Sequence, residues 1–138
     1  MLTLLKDIHA ELREAIKALE VAVSCPTPDR ETLSAARLRL TRLSSRRRTM
    51  IEGSILPLLR DLSPDQEQRI ADLRLETAHL VAASSKHIGQ WTMRTICADW
   101  EGYQRASALM RRSMIRRIQQ EAAVLYPLLE AKEAQQAA

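Results

Sequence analysis

Apolar residues recur at alternating steps of four and three along the first part of the chain. The positions in this series are Leu5, His9, Leu12, Ile16, Leu19 and Val23. An α-helix brings every third or fourth residue to the same side, so the pattern predicts an amphipathic helix over residues 2–23. Because His9 takes a regular place in the series, we expect it on the face that packs against other helices.

Three further segments with helical patterns follow, separated by short breaks. They are predicted over residues 28–61, 64–88 and 96–133. At the first break, Thr27 is expected to cap the second helix, with Pro28 at its first position. At the second break, the run Ser63-Pro64-Asp65-Gln66 has the form of a capping box. Residues 90–95 are expected to form a short connection.

Four long helices joined by short connections predict an all-α fold, an antiparallel up-down-up-down four-helix bundle. The chain is long enough for one domain with its own core. We place this domain at residues 1–133 and expect residues 134–138 to be a frayed C-terminal tail. In such a bundle the second and fourth helices run in the same direction, so their corresponding polar residues would lie at similar depth.

Composition is that of a folded chain, with 46% hydrophobic and 28% charged residues. No apolar run approaches the roughly 18 residues that a membrane span needs, so no membrane association is expected. The early charges of Lys6 and Asp7 argue against a secretory leader. Cys25 and Cys97 have neither metal-ligand spacing nor a disulfide framework, which favours a reducing, cytoplasmic location.

The excess of basic residues raises the question of nucleic acid. The chain has 21 Lys and Arg against 17 Asp and Glu, a net charge of +4. Its densest basic run is Arg46-Arg47-Arg48, but a helix turns part of any such run inward, and no aromatic residues alternate with it. Nucleic acid is therefore not expected as a partner, whereas a homodimer or another protein partner stays open.

Signatures of catalysis are missing from the sequence. It has no Ser/His/Asp arrangement, no Gly-rich phosphate loop and no motif around a nucleophilic cysteine. We therefore expect a protein that is not an enzyme.

Two predicted helices end almost alike, in Glu52-Gly-Ser-Ile-Leu-Pro-Leu-Leu and Glu121-Ala-Ala-Val-Leu-Tyr-Pro-Leu-Leu. The copies lie about 70 residues apart, which suggests a duplicated helix hairpin. With Ile8-His9 and Ala78-His79-Leu80, these segments make the chain resemble the hemerythrin-like, or HHE cation-binding, domain family over essentially its whole length. The resemblance implies a four-helix bundle around a carboxylate-bridged di-iron centre that binds dioxygen or a related small molecule.

The resemblance also implies candidate metal ligands. His9 and His79 match the histidines of the family's first and third helices, and Glu121 matches the carboxylate of the fourth. Glu52 lies near the carboxylate of the second helix. Alignment on the two prolines, however, puts Ile51 rather than Glu52 opposite Glu121, so the match of Glu52 is displaced by one position.

Arginines stand where the family has two more histidines, with Arg47 or Arg48 on the second helix and Arg117 on the fourth. A guanidinium stays charged and offers no lone pair, whereas non-haem iron is bound by imidazole and carboxylate. We therefore predict that the metal site has degenerated. In its place we expect buried, bidentate salt bridges from these arginines to Glu52 and Glu121.

The sequence thus predicts a non-catalytic sensory, regulatory or interaction module with no cofactor. His9 would then be a core histidine that is hydrogen-bonded to a neighbour. The alternative is an atypical iron centre, mononuclear or with a reduced ligand set, that senses oxygen or redox state. Its ligands would be His9, Glu52, His79 and Glu121.

Overall fold

The computed structural model describes residues 1–137, and every regular element in that range is helical. The α-helices are α1 (Leu2–Val23), α2 (Arg30–Met50), α3 (Pro64–Gln90), α4 (Met93–Ala98) and α5 (Trp100–Ala137). Two short turns follow α2, a π-helical turn at Ile51–Ile55 and a 3₁₀ turn at Leu56–Leu58. The predicted all-α class is confirmed.

The first predicted helix coincides with α1. Its apolar series is buried, and Leu5 and Leu12 are both 0% exposed. His9 shares their face and is 2% exposed. The spacing of the apolar residues therefore located both the helix and the inward position of the histidine.

The long helix α5 runs antiparallel to α1. At one end the amino terminus lies 3.3 Å from Glu133 Oε1, and at the other Gln104 Nε2 donates to the carbonyl of Val23 over 2.8 Å. α1 also packs against α2, and α3 packs against α5. By contrast, α2 and α3 make little direct contact, which leaves a gap between them.

Contacts at two levels show that α2 and α5 run in the same direction. The Arg37 guanidinium lies 5.7 Å from the centre of the Tyr103 ring, and ten residues later Arg47 Nε lies 3.6 Å from Glu121 Oε1. The inward faces of the two helices therefore face each other at these two levels. This arrangement brings the second-helix arginine to the fourth-helix carboxylate.

The start of α2 differs from the prediction. The helix begins at Arg30 and is capped by Asp29, whose Oδ1 accepts from the amides of Glu31 (3.1 Å) and Thr32 (3.3 Å). Thr27 and Pro28 lie in the preceding loop. The prediction of Thr27 as the cap is wrong, and Asp29 is the stronger capping residue of the two.

The connection predicted at residues 90–95 is also wrong in detail. It contains the start of α4, which is capped by Thr92 through the amide of Thr95. The capping box at the start of α3 is confirmed, because Ser63 and Gln66 bond each other's backbone amides.

At its C-terminal end α5 continues to Ala137, and the side chains of residues 133–137 are exposed. Fraying of residues 134–138 stays a prediction, and Ala138 lies outside the described residues. Within residues 1–137, no helix combines the length and apolar character needed to cross a membrane.

Candidate functional site

A buried carboxylate at the centre of the protein meets basic side chains from three helices. Glu121 of α5 is 1% exposed. Its Oε1 lies 2.9 Å from His9 Nε2 of α1 and 3.6 Å from Arg47 Nε of α2. Its Oε2 accepts a 3.2 Å hydrogen bond from Arg117 Nε. These four residues form what we call the Glu121 cluster.

Hydrogen bonding on both sides fixes the His9 ring. A carboxylate only accepts, so Nε2 of His9 carries the proton that binds Glu121. On the other side, Nδ1 lies 2.7 Å from the hydroxyl of Tyr126, which donates to it when the ring is neutral. His9 is therefore a hydrogen-bonded core histidine that links α1 to α5.

The bond between Arg117 and Glu121 joins residues four apart on one helix. Arg117 uses Nε alone, so the contact is not the bidentate fork that we expected from the sequence. Burial lowers the pKa of Arg117, while the charge of Glu121 and its hydrogen bond act in the opposite direction. Arg117 is 6% exposed.

Arg47 is the least satisfied member of the cluster. It is 2% exposed, yet its nearest Glu121 oxygen, at 3.6 Å, is beyond hydrogen-bond reach. Within residues 1–137, neither its Nε nor its Nη1 has a hydrogen-bond partner. Burial, together with the charges of Arg117 and Arg48, lowers the pKa of Arg47 to about 10, against the opposing charge of Glu121. Its positive charge is therefore only partly compensated.

Charges in the cluster keep Glu121 ionised. Burial alone raises the pKa of Glu121, but the hydrogen bond from His9 and the charges of Arg47 and Arg117 together outweigh it, so the pKa lies below its ordinary value. Two arginines face one carboxylate. The Glu121 cluster then carries one positive charge in excess.

Glu52 lies outside this cluster. It is exposed, and its Oε2 lies 2.9 Å from Arg74 Nη2 of α3. The buried pairing of Glu52 with Arg47 or Arg48 is therefore not observed. Instead Ile51, 7% exposed, takes the inward position four residues after Arg47. The π-helical turn starts at Ile51, whose carbonyl accepts from the amide of Leu56.

The other candidate ligand, His79, is also remote from the cluster. It is exposed on the surface of α3. Among residues 1–137, no three His, Cys, Asp or Glu side chains come close enough together to hold a metal ion. Only His9 and Glu121 of the four candidate ligands meet, and two guanidiniums flank them. This set of side chains does not fit a di-iron centre, because arginine supplies charge and no lone pair.

A cavity of about 240 Å³ occupies the gap between α2, α3 and α5. Its walls include several arginines, serines and flexible apolar side chains. The lining residues include Arg37, Leu40, Ser44, Arg47, Arg48, Leu80, Ser84, Met110, Arg111, Met114 and Arg117. Two members of the Glu121 cluster thus also face this cavity.

Sequence reasoning missed the cavity and the polar row on α5 that leads into it. Tyr103, Ser107 and Arg111 follow one another at steps of four, and the first two are 0% and 1% exposed. A polar row at helical spacing on an inward face is the signal that could have indicated the site. Burial raises the pKa of Tyr103.

Comparison of the chain with protein-family models, curated proteins and solved structures found no match. The resemblance to hemerythrin-like domains therefore stays a prediction from the sequence.

Proposed function

We propose that the chain is a hemerythrin-like, up-down-up-down four-helix bundle that has exchanged its metal centre for a charge cluster. In this proposal it is a non-catalytic sensory or regulatory module with no metal cofactor. The observation that carries the proposal is the position of Arg47 and Arg117, both buried and both directed at one carboxylate. They stand four residues before Ile51 and Glu121, at the places where the resemblance implies histidines.

The chemistry of these groups supports a role without metal. Two guanidiniums beside the Glu121 carboxylate supply positive charge, as the metal would have done, without any capacity for electron transfer. With Ile51 at the corresponding position on the second helix, the carboxylate there is lost as well. The Glu121 cluster can still bind, orient and report a charged molecule through hydrogen bonds and charge.

The direct test is metal analysis with an absorption spectrum of protein produced in iron-rich medium. We expect iron far below one ion per chain and no ligand-to-metal charge-transfer band. The alternative, an atypical iron centre for oxygen or redox sensing, builds on the contact between His9 and Glu121. Iron near one ion per chain, lost together with its band in Glu121→Ala, would establish that alternative and reject the proposal.

A reconstruction experiment tests whether the arginines occupy former ligand positions. The triple variant Arg47→His, Ile51→Glu, Arg117→His adds two imidazoles and one carboxylate around His9 and Glu121. We expect it to bind Co²⁺ more tightly than the wild type, measured by the visible spectrum of the bound ion. Arg46→His, Glu52→Gln, Arg116→His is the control, since these side chains are exposed. Equal Co²⁺ binding by a folded triple variant and the control would contradict the proposal.

A further inference from the structure

The cavity between α2, α3 and α5 contains polar groups that the fold leaves without partners. Arg47, Ser44 and Arg111 belong to its walls, and within residues 1–137 the buried atoms Arg47 Nη1, Ser44 Oγ and Arg111 Nη1 make no hydrogen bond. Buried donors are normally satisfied by protein or by a bound molecule, since an unsatisfied one costs the full free energy of its desolvation. These three side chains are therefore the candidates to hold the polar group of a ligand.

The positive charge around the cavity indicates that its ligand is an anion. Among the described residues 1–137, five arginines line it, namely Arg37, Arg47, Arg48, Arg111 and Arg117, and no Asp or Glu belongs to its walls. Glu121 lies behind Arg47 and Arg117 and balances only one of them. Arginine forks bind carboxylate and phosphate oxygens with directed hydrogen bonds, whereas a cation here would meet only like charge.

Apolar walls indicate that the anion has an apolar body. Leu40, Leu80, Met110 and Met114 line the cavity from all three helices. Methionine is unbranched and adapts to the shape of a bound molecule. An inorganic anion would leave these walls uncovered, whereas an aliphatic chain would bury them.

Dimensions of the cavity limit the size of the ligand. On α2 the lining residues run from Arg37 to Arg48, and eleven residues of α-helix span about 16 Å. The volume of about 240 Å³ is slightly below the range of roughly 300–1,000 Å³ that is usual for small-molecule pockets. These limits suit a medium-chain monocarboxylate.

We propose that this cavity binds an aliphatic monocarboxylate, with its carboxylate on Arg47 and Ser44 and its chain along Leu40, Leu80 and Met110. One negative charge would balance the single excess positive charge of the Glu121 cluster. The bound carboxylate would also give Arg47 the hydrogen bonds that Glu121 does not. This ligand class belongs to the sensory module proposed above and rests on that role. Metal analysis tests the metal-free role, whereas ligand binding tests the ligand class.

Decanoate is the probe, and isothermal titration calorimetry on the full chain is the measurement. We expect one decanoate per chain, little or no binding of decanol, and weaker binding of acetate and inorganic phosphate. The comparison with decanol isolates the carboxylate, and the comparison with acetate isolates the chain. Equal binding of decanoate and decanol, or tight binding of phosphate alone, would overturn the proposal. So would binding of several decanoates per chain without saturation.

Variants at neighbouring arginines locate the site. Arg47→Met should weaken decanoate binding by about tenfold or more, because the buried fork that meets the carboxylate is lost. Arg46→Met is the matched control, since Arg46 is exposed and lies outside the cavity walls. Unchanged affinity in a folded Arg47→Met would overturn the proposal.

A second variant leaves all the arginines in place. Ser84→Trp adds a large ring to the α3 wall of the cavity and should abolish decanoate binding by occlusion, while circular dichroism shows that the fold is kept. Unchanged binding in this variant would place the ligand elsewhere and overturn the proposal. If the wild type proves to contain iron but still binds one decanoate at this site, only the metal-free role is rejected.

Discussion

At the scale of single residues, the two arginines of the Glu121 cluster differ in how they contact the buried carboxylate. Glu121 takes hydrogen bonds from His9 and Arg117, whereas Arg47 is near enough for attraction and too far for a bond. Breaking a buried, hydrogen-bonded ionic contact destabilises a fold, whereas removing a poorly satisfied buried charge can stabilise it. The two arginines should therefore respond differently to the same substitution.

We expect Arg117→Met to lower the free energy of unfolding by about 1.5–3 kcal/mol, because a hydrogen bond to a buried carboxylate is lost. Arg47→Met should raise it by about 1 kcal/mol when no ligand is bound, since a partly compensated charge leaves the core. Urea unfolding of both variants measures the difference. Arg46→Met and Arg116→Met, at exposed positions, should stay within about 0.5 kcal/mol of the wild type. A larger loss for Arg47→Met than for Arg117→Met would contradict the geometry of the cluster.

Acid should lower the free energy of unfolding by protonating Glu121. Its pKa is lower in the folded protein than in the unfolded chain, so ionised Glu121 contributes stability that is fully present above the unfolded pKa. That contribution disappears as the pH falls from the unfolded pKa of about 4.5 through the lower folded one. Glu121→Gln should therefore be less stable than the wild type at about pH 7, and the gap should narrow as the pH falls below about 4.5.

Unfolding in urea across this pH range, with Glu52→Gln as the control, measures the effect. Glu52 is exposed, so its variant should follow the wild type at every pH. A gap between Glu121→Gln and the wild type that stays constant with pH would show that Glu121 is not held ionised by the cluster.

At the scale of elements, α2 differs from the predicted helix at both of its ends. α2 is started by Asp29 and ends in the π-helical turn Ile51–Ile55, after which the chain reaches Pro57. A π-helical turn holds one residue more than an α-helical turn and shifts the faces of the residues around it. Ile51 is buried and Glu52 points to solvent, where it meets Arg74.

The cap of α2 can be tested against the residue that the sequence suggested. Asp29→Ala should lower the free energy of unfolding by about 0.5–2 kcal/mol, because two backbone amides lose their acceptor. Thr27→Ala should change it by less than about 0.5 kcal/mol, as Thr27 lies in the loop. Thermal or urea unfolding of these two variants decides which residue caps α2. A larger loss of stability in Thr27→Ala would contradict the structure.

At the scale of the whole molecule, the helices differ in how firmly they are packed. α1 buries ten of its 22 residues, whereas Leu73 is the one buried residue among the 27 of α3. The cavity lies beside α3, and this helix also exposes Leu75 and Ile88. A helix with few buried contacts opens at lower free energy than one that forms the core.

Native-state hydrogen exchange should therefore distinguish the two helices. We expect amides in the middle of α3 to exchange through local opening, well before global unfolding, while those of α1 exchange only near the global free energy. Mass spectrometry of proteolytic fragments resolves this comparison, with the exposed last turns of α5 as a fast-exchanging reference. Equal protection of α1 and α3 would show that α3 is as firmly anchored as the core.

The extent of sequence-based prediction differs between fold and site. The helical spacing of apolar residues predicted the all-α class, the bounds of α1 and the inward position of His9, because the hydrophobic effect acts on every turn of an amphipathic helix. The sequence also predicted that Arg117 and either Arg47 or Arg48 are buried, and the structure shows that Arg47 is the buried one of the two. Glu52 and His79 were misplaced as site residues, since a shift of one residue or a weakly amphipathic helix changes the face that a side chain occupies.

The sequence by itself determined the all-α class and the bounds of α1, because the periodicity of apolar residues along a helix is a local pattern. Only the tertiary structure decided that Arg117 bonds Glu121 while Arg47 does not. It also decided that Arg47, Ser44 and Arg111 share a cavity. Such contacts depend on how far apart α2, α3 and α5 pack, a distance set by all of their side chains together.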